Sequence, residues 1–122
     1  MRILIACGVA LALSLLAGSA SADATIVTPA IRPSSAGTLE CWVVNSHPTK
    51  QLQVELEIRS FSGTVVESGS GPVVPNGANG ITTDADTARF CVVRVTSGSR
   101  KNAIVSLVAF DGGVPVSTVV AK

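Results

Sequence analysis

Gln51-Leu-Gln-Val-Glu-Leu-Glu-Ile-Arg59 alternates without a break, with Leu52, Val54, Leu56 and Ile58 on one side and Gln51, Gln53, Glu55, Glu57 and Arg59 on the other. Side chains in a β-strand repeat every two residues, so this stretch predicts a strand with one buried and one wet face. Two further segments carry the same signature and a cysteine each: Leu39–Asn45 (Leu-Glu-Cys-Trp-Val-Val-Asn) and Ala88–Thr96 (Ala-Arg-Phe-Cys-Val-Val-Arg-Val-Thr). Their alternation places Leu39, Cys41 and Val43 on one face and Cys91, Val93 and Val95 on one face. A bond between Cys41 and Cys91 would therefore tie two core strands together.

Outward from these, strands are expected at Ala24–Ile31, Thr64–Glu67, Ala103–Phe110 and Val116–Ala121, with weaker pairing at Pro72–Val74 and Ile81–Thr83. Turn residues separate them at Pro33–Gly37, Ser46–Lys50, Ser62-Gly63, Gly69–Gly71, Asn76–Gly80, Ser97–Asn102 and Asp111–Gly113. Beyond the N-terminal run no segment shows apolar positions at helical spacing. The fold class that follows is all-β: an antiparallel sandwich of about seven or eight strands with one disulfide.

The N-terminal end has a different logic. Met1 and Arg2 precede an apolar run, Ile3 to Ala17, followed by small residues ending Ala20-Ser21-Ala22, the layout of a secretory signal peptide cleaved after Ala22. The apolar run falls short of the roughly 20 residues needed to span a bilayer, so residues 1–22 are expected to be removed and residues 23–122 to form one sandwich without a membrane span. A retained signal anchor is the alternative. Of the 122 residues nine are Lys or Arg and eight Asp or Glu; only Arg2 lies in the leader, so the charges of residues 23–122 balance. Balanced charge gives no electrostatic attraction to nucleic acid or anionic membrane.

Cys7 lies inside the leader and would leave with it. Cys41 and Cys91 then allow one intramolecular connectivity, and in an oxidising export compartment an even pair reads as a disulfide. Closing a loop of about 50 residues is worth about 4 kcal/mol in the chain-entropy model. There is no CxxC, and one histidine does not complete a zinc set with two cysteines so far apart.

Candidate chemistry is sparse. His47, in Ser46-His47-Pro48-Thr49, reads as a turn residue, and Gly-x-Ser-x-Gly is absent around Ser68-Gly69-Ser70-Gly71. Glu55 and Glu57 project from one strand face about 7 Å apart, a spacing reminiscent of paired glycosidase carboxylates but better explained as the polar half of the alternation. Asn76, Asn79, Asp84 and Asp86 are the one oxygen-rich stretch and lack a calcium-loop spacing. Arg89, Arg94, Arg100 and Lys101 have no interleaved aromatics, as the chain has one Trp, three Phe and no Tyr. No catalytic set, metal site or cofactor is expected. Trp42, next to Cys41, points away from whatever Cys41 faces, either into a second packed layer or towards solvent as a recognition residue.

The build resembles the immunoglobulin-like class, whose strand F begins Asp-x-Ala-x-Tyr: Asp86, Ala88 and Phe90 follow that spacing. Cys91, however, comes directly after Phe90, and Trp42 adjoins the first cysteine instead of lying a strand later. Over most of residues 23–122 the chain is similar to small exported bacterial β-sandwich proteins of unassigned activity, through Cys41-Trp-Val-Val-Asn45, the alternating strand running to Ser62-Gly63 and Val65-Val66, Pro75-Asn76-Gly77, and Phe90-Cys91-Val-Val. That resemblance implies the fold and an exported, periplasmic or extracellular compartment, and it supplies no site. With no catalytic set among the residues, the expected role is a non-enzymatic one, binding a protein or glycan either by adding a strand at a sheet edge or through a loop surface. The rival reading is a fimbrial-type surface-assembly subunit, for which Ala24–Ile31 would be the donor strand, although Val-Val-Ala-Lys122 lacks the aromatic ending such subunits carry. An enzyme ranks third, since no nucleophile and base pair is identifiable.

Overall fold

The computed structural model describes residues 24–33 and 37–121, so the leader and its expected cleavage after Ala22 lie outside the described residues. Eight strands follow in order: β1 Ala24–Val27, β2 Gly37–Asn45, β3 Leu52–Ser60, β4 Val65–Val73, β5 Ala78–Ala85, β6 Arg89–Ser97, β7 Ala103–Asp111 and β8 Val114–Ala121. They form two antiparallel four-stranded sheets, with order β1-β6-β3-β4 in the first and β5-β2-β7-β8 in the second. The expected all-β antiparallel sandwich is thus the observed fold.

The alternation that predicted β3 is the alternation that packs it. Leu52, Val54, Leu56 and Ile58 are buried between the sheets, as are Val93 and Val95 of β6 and Leu39 and Val43 of β2. Strand β7 completes this layer with Ala103, Val105, Leu107 and Ala109, all fully buried. Fully burying a Val, Leu or Ile side chain contributes roughly 1.5–3 kcal/mol, so this shared layer is the main stabilising term. Cys41 of β2 and Cys91 of β6 meet across it, 6.1 Å apart at Cα, and their disulfide joins one sheet to the other over 50 residues of chain.

Three expected boundaries are corrected. Gly69–Gly71 is no turn: the strands expected at Thr64–Glu67 and Pro72–Val74 merge, apart from Thr64 and Val74, into one continuous strand, β4. The glycines serve packing there, since a Cβ at Gly69 would lie 2.8 Å from Ile81 Cγ2 on β5. The turn expected at Asn76–Gly80 is confined to its start, with Asn76 left-handed at φ 57°, and Ile81–Thr83 widens into β5. Ala24–Ile31 forms a strand only to Val27 and then a single bridge, Ile31 to Arg89. The turn expected at Ser97–Asn102 is observed between β6, which ends at Ser97, and β7, and includes a short 3-10 turn, Arg100–Asn102.

Candidate functional site

With Cys41 fully buried, the parity of β2 turns Glu40, Trp42 and Val44 onto the outer face of the second sheet, and Trp42 keeps 38% of its surface exposed. Strand register shows what surrounds it. Gly80 on β5 and Ser106 on β7 flank Trp42, and Val120 on β8 lies beyond Ser106. The next row is Thr82, Glu40, Val108 and Thr118, and on the other side Val44 sits beside Ile104. Phe110, also outward on β7, pairs with Thr38 and Pro115.

The indole has a defined seat. A Cβ at Gly80 would fall 2.6 Å from Trp42 Cδ2 and 2.7 Å from Cε3, so the ring lies over the bare glycine backbone. Its Nε1–H donates to Glu40 Oε1 at 2.8 Å, which fixes the ring's orientation along the strand. The result is a shallow face of Trp42, Val44, Ile104, Val108, Phe110 and Val120, with Val44 and Val120 at 38% and 56% exposure. The carboxylate on its own strand, Glu40, is already bonded to the indole. Of the two orientations open to Trp42 in the sequence, the structure adopts the outward one.

The aliphatic neighbours were not anticipated. Ala103–Phe110 is apolar at nearly every position, so neither parity stands out as the buried one. Periodicity alone does not tell such a run's inner face from its outer.

The other candidates are dispersed or engaged in structure. His47 is half-buried in its turn, where Nδ1 accepts the backbone N–H groups of Thr49 (3.0 Å) and Lys50 (2.9 Å). That nitrogen therefore serves as the acceptor that closes a tight turn. Beside it Asn45, fully buried, donates from Nδ2 to the carbonyls of Lys50 (2.8 Å) and Val73 (3.0 Å) and accepts the His47 N–H at 2.9 Å. Sequence reading missed this clamp; its signal was a polar residue in the inward parity of Cys41 and Val43.

Glu55 is ion-paired to Arg94 at 3.1 Å and Glu57 to Arg59, all on the wet face of the first sheet. Asn76 and Asn79 lie at the start of β5 while Asp84 and Asp86 lie at its far end, so the oxygen-rich stretch is not one constellation. Among the described residues no three His, Cys, Asp or Glu side chains gather as metal ligands. Arg89 and Arg94 stand on β6, and Arg100 and Lys101 on the 3-10 turn beyond its end. An open depression of about 580 Å³ at the sandwich end is lined by Gly37, Thr38, Asp84, Ala85, Asp86 and Arg89, apart from both His47 and Trp42. No helix among the described residues is long and apolar enough to cross a membrane.

The disulfide is compatible with an oxidising, exported location. Compared with protein-family models, with curated proteins and with solved structures, the chain matches none.

Proposed function

We propose that this is an exported, non-enzymatic binding protein, secreted by way of residues 1–22, that engages its partner through the outer face of the β5-β2-β7-β8 sheet. The observation that carries this reading is the seated, outward Trp42 among unshielded aliphatic side chains. A large aromatic held rigid by its surroundings loses little entropy on binding, which is why tryptophans anchor interfaces. Beside Trp42 the face carries the aliphatic side chains of Val44, Ile104, Val108 and Val120, interspersed with Thr82, Ser106 and Thr118. An apolar cluster around a single aromatic favours a protein partner over a glycan, which would find one aromatic platform.

The test is photo-crosslinking from position 108 in the export compartment, comparing the otherwise native chain with Trp42→Ala. A saturable adduct lost with Trp42→Ala supports the reading. No saturable adduct, or one unaffected by the substitution, overturns it, and binding to immobilised glycans with the same Trp42 dependence would identify a glycan instead of a protein.

A further inference from the structure

The four sheet edges of the sandwich are not alike. β1 is four residues long. β4 and β5 form the flank where the two sheets approach, with Ile81 of β5 lying against Gly69 of β4. β8 is different: eight residues, Val-Pro-Val-Ser-Thr-Val-Val-Ala, paired on one side to β7 and on the other to no described element. It holds no charged residue, and its outward side chains Val116 and Val120 are 48% and 56% exposed. Natural edge strands are usually shortened, charged, bulged or covered because an open row of N–H and C=O groups invites another strand. Pro115 and the irregularity between Ala109 and Phe110 interrupt only the beginning of β8 and leave Val116–Ala121 unprotected.

We propose that two copies of this chain pair through β8, antiparallel about a two-fold axis, to form one continuous eight-stranded sheet. The sequence of the edge argues for a second copy. In an antiparallel pair that keeps each residue on its own face, the two-fold must lie between the two copies of one residue and not at the level of a peptide between successive residues, because side chains alternate with period two. Centring on Thr118 places Thr118 opposite Thr118, and Val116 opposite Val120 on both sides. On the inner face it places Ser117 opposite Val119. A Thr–Thr pair bracketed by Val–Val pairs is a favourable cross-strand set, and no like charges meet. The axis runs through the sheet, so both Trp42 faces point the same way and a dimer presents two of them to one surface. The dimer does not depend on what the Trp42 face binds.

Cysteine scanning tests both pairing and register. Directly opposed residues on antiparallel strands lie about 4.5–5.5 Å apart at Cα, within disulfide reach, so Thr118→Cys is expected to give an oxidised covalent dimer. Val116→Cys is the matched control: the two copies of position 116 would be separated by roughly 14 Å along the strands and should not join. In sedimentation velocity from micromolar to hundreds-of-micromolar concentration, the native chain is expected to associate. Thr118→Lys, which sets two ammonium groups opposite one another, should weaken association roughly tenfold or more. Unchanged far-ultraviolet dichroism and an intact Cys41–Cys91 bond show that each variant is folded. A monomer at every concentration overturns the proposal. So does a dimer that survives Thr118→Lys, or one that yields no Thr118→Cys crosslink, since each places the contact elsewhere.

Discussion

Trp42 lies over Gly80, its cross-strand partner, so closely that there is no room for a β-carbon between the indole and the backbone of β5. The indole N–H is tied in addition to Glu40. Gly80→Ala should therefore lift the ring. Its new methyl would stand 2.6 Å from Cδ2 and 2.9 Å from the Cys41 carbonyl oxygen, and the second contact is with backbone, which yields less. The expected cost is about 1–2 kcal/mol, that of a modest overpacking. Because the chain has one tryptophan, its fluorescence reports the site directly. A red-shifted emission maximum should accompany the loss of stability, and unchanged emission would mean that the glycine does not set the ring's position.

Removing the disulfide should lower stability by about 4 kcal/mol, because the bond closes a long loop and so limits the unfolded chain. Cys41→Ala together with Cys91→Ala is the clean form of the experiment, since a single substitution leaves a reactive thiol in the core. Both positions are fully buried, so small cavities add to the loss. Urea unfolding of the double variant should show a lower midpoint, and the native chain in strong reductant should move the same way once the bond is reduced. A midpoint shared by oxidised, reduced and double-variant forms would show that the cross-link contributes nothing.

These two sites also mark where sequence reading succeeds and where it stops. Strand β3 and the cysteine-bearing strands are legible because polar and apolar residues alternate, and one face of each is buried. The same parity puts Trp42 opposite Cys41. It fails for β7, where both faces are mostly apolar, and hence for Ile104, Val108 and Phe110 around the tryptophan. It fails again at Ser68-Gly69-Ser70-Gly71, because glycine and serine read equally as a turn and as a strand against which another packs closely. Pairing with β3, Glu57 to Ser68 and Leu56 to Gly69, decides for the strand, and Ile81 of β5 packed against Gly69 accounts for the glycine; both are tertiary facts.

Asn45 should prove one of the most sensitive polar positions. Its amide bridges the end of β2, the 45–50 turn and the end of β4 through three hydrogen bonds, and the side chain is fully buried. Asn45→Ala leaves the Val73 carbonyl and its neighbours without partners, at a cost of about 2–4 kcal/mol. Asn45→Asp is the sharper variant. Nearly identical in shape, it replaces the donating amide by a carboxylate oxygen aimed at two carbonyl oxygens, so it should be at least as harmful as alanine. Thermal or urea denaturation of the pair would distinguish this from simple loss of volume, for which aspartate would be the milder change.

The short first strand is held less by its length than by one hydroxyl. Thr28, just past β1 and 3% exposed, receives the Cys91 N–H at its Oγ1 (3.0 Å) and donates its own N–H to the Cys91 carbonyl at 3.0 Å. The first sheet thus continues one residue beyond the ladder by substituting a side-chain acceptor for a backbone one. Thr28→Val keeps the shape and the β-branch while deleting that acceptor. The buried Cys91 N–H is then orphaned, which should cost about 1–3 kcal/mol. Thr28→Ser keeps the acceptor and loses only a methyl group, so it should cost less. Amide hydrogen exchange gives the decisive measurement: Cys91 should lose protection in Thr28→Val and retain it in Thr28→Ser. Equal protection in both would show that the hydroxyl is not what closes this edge of the sandwich.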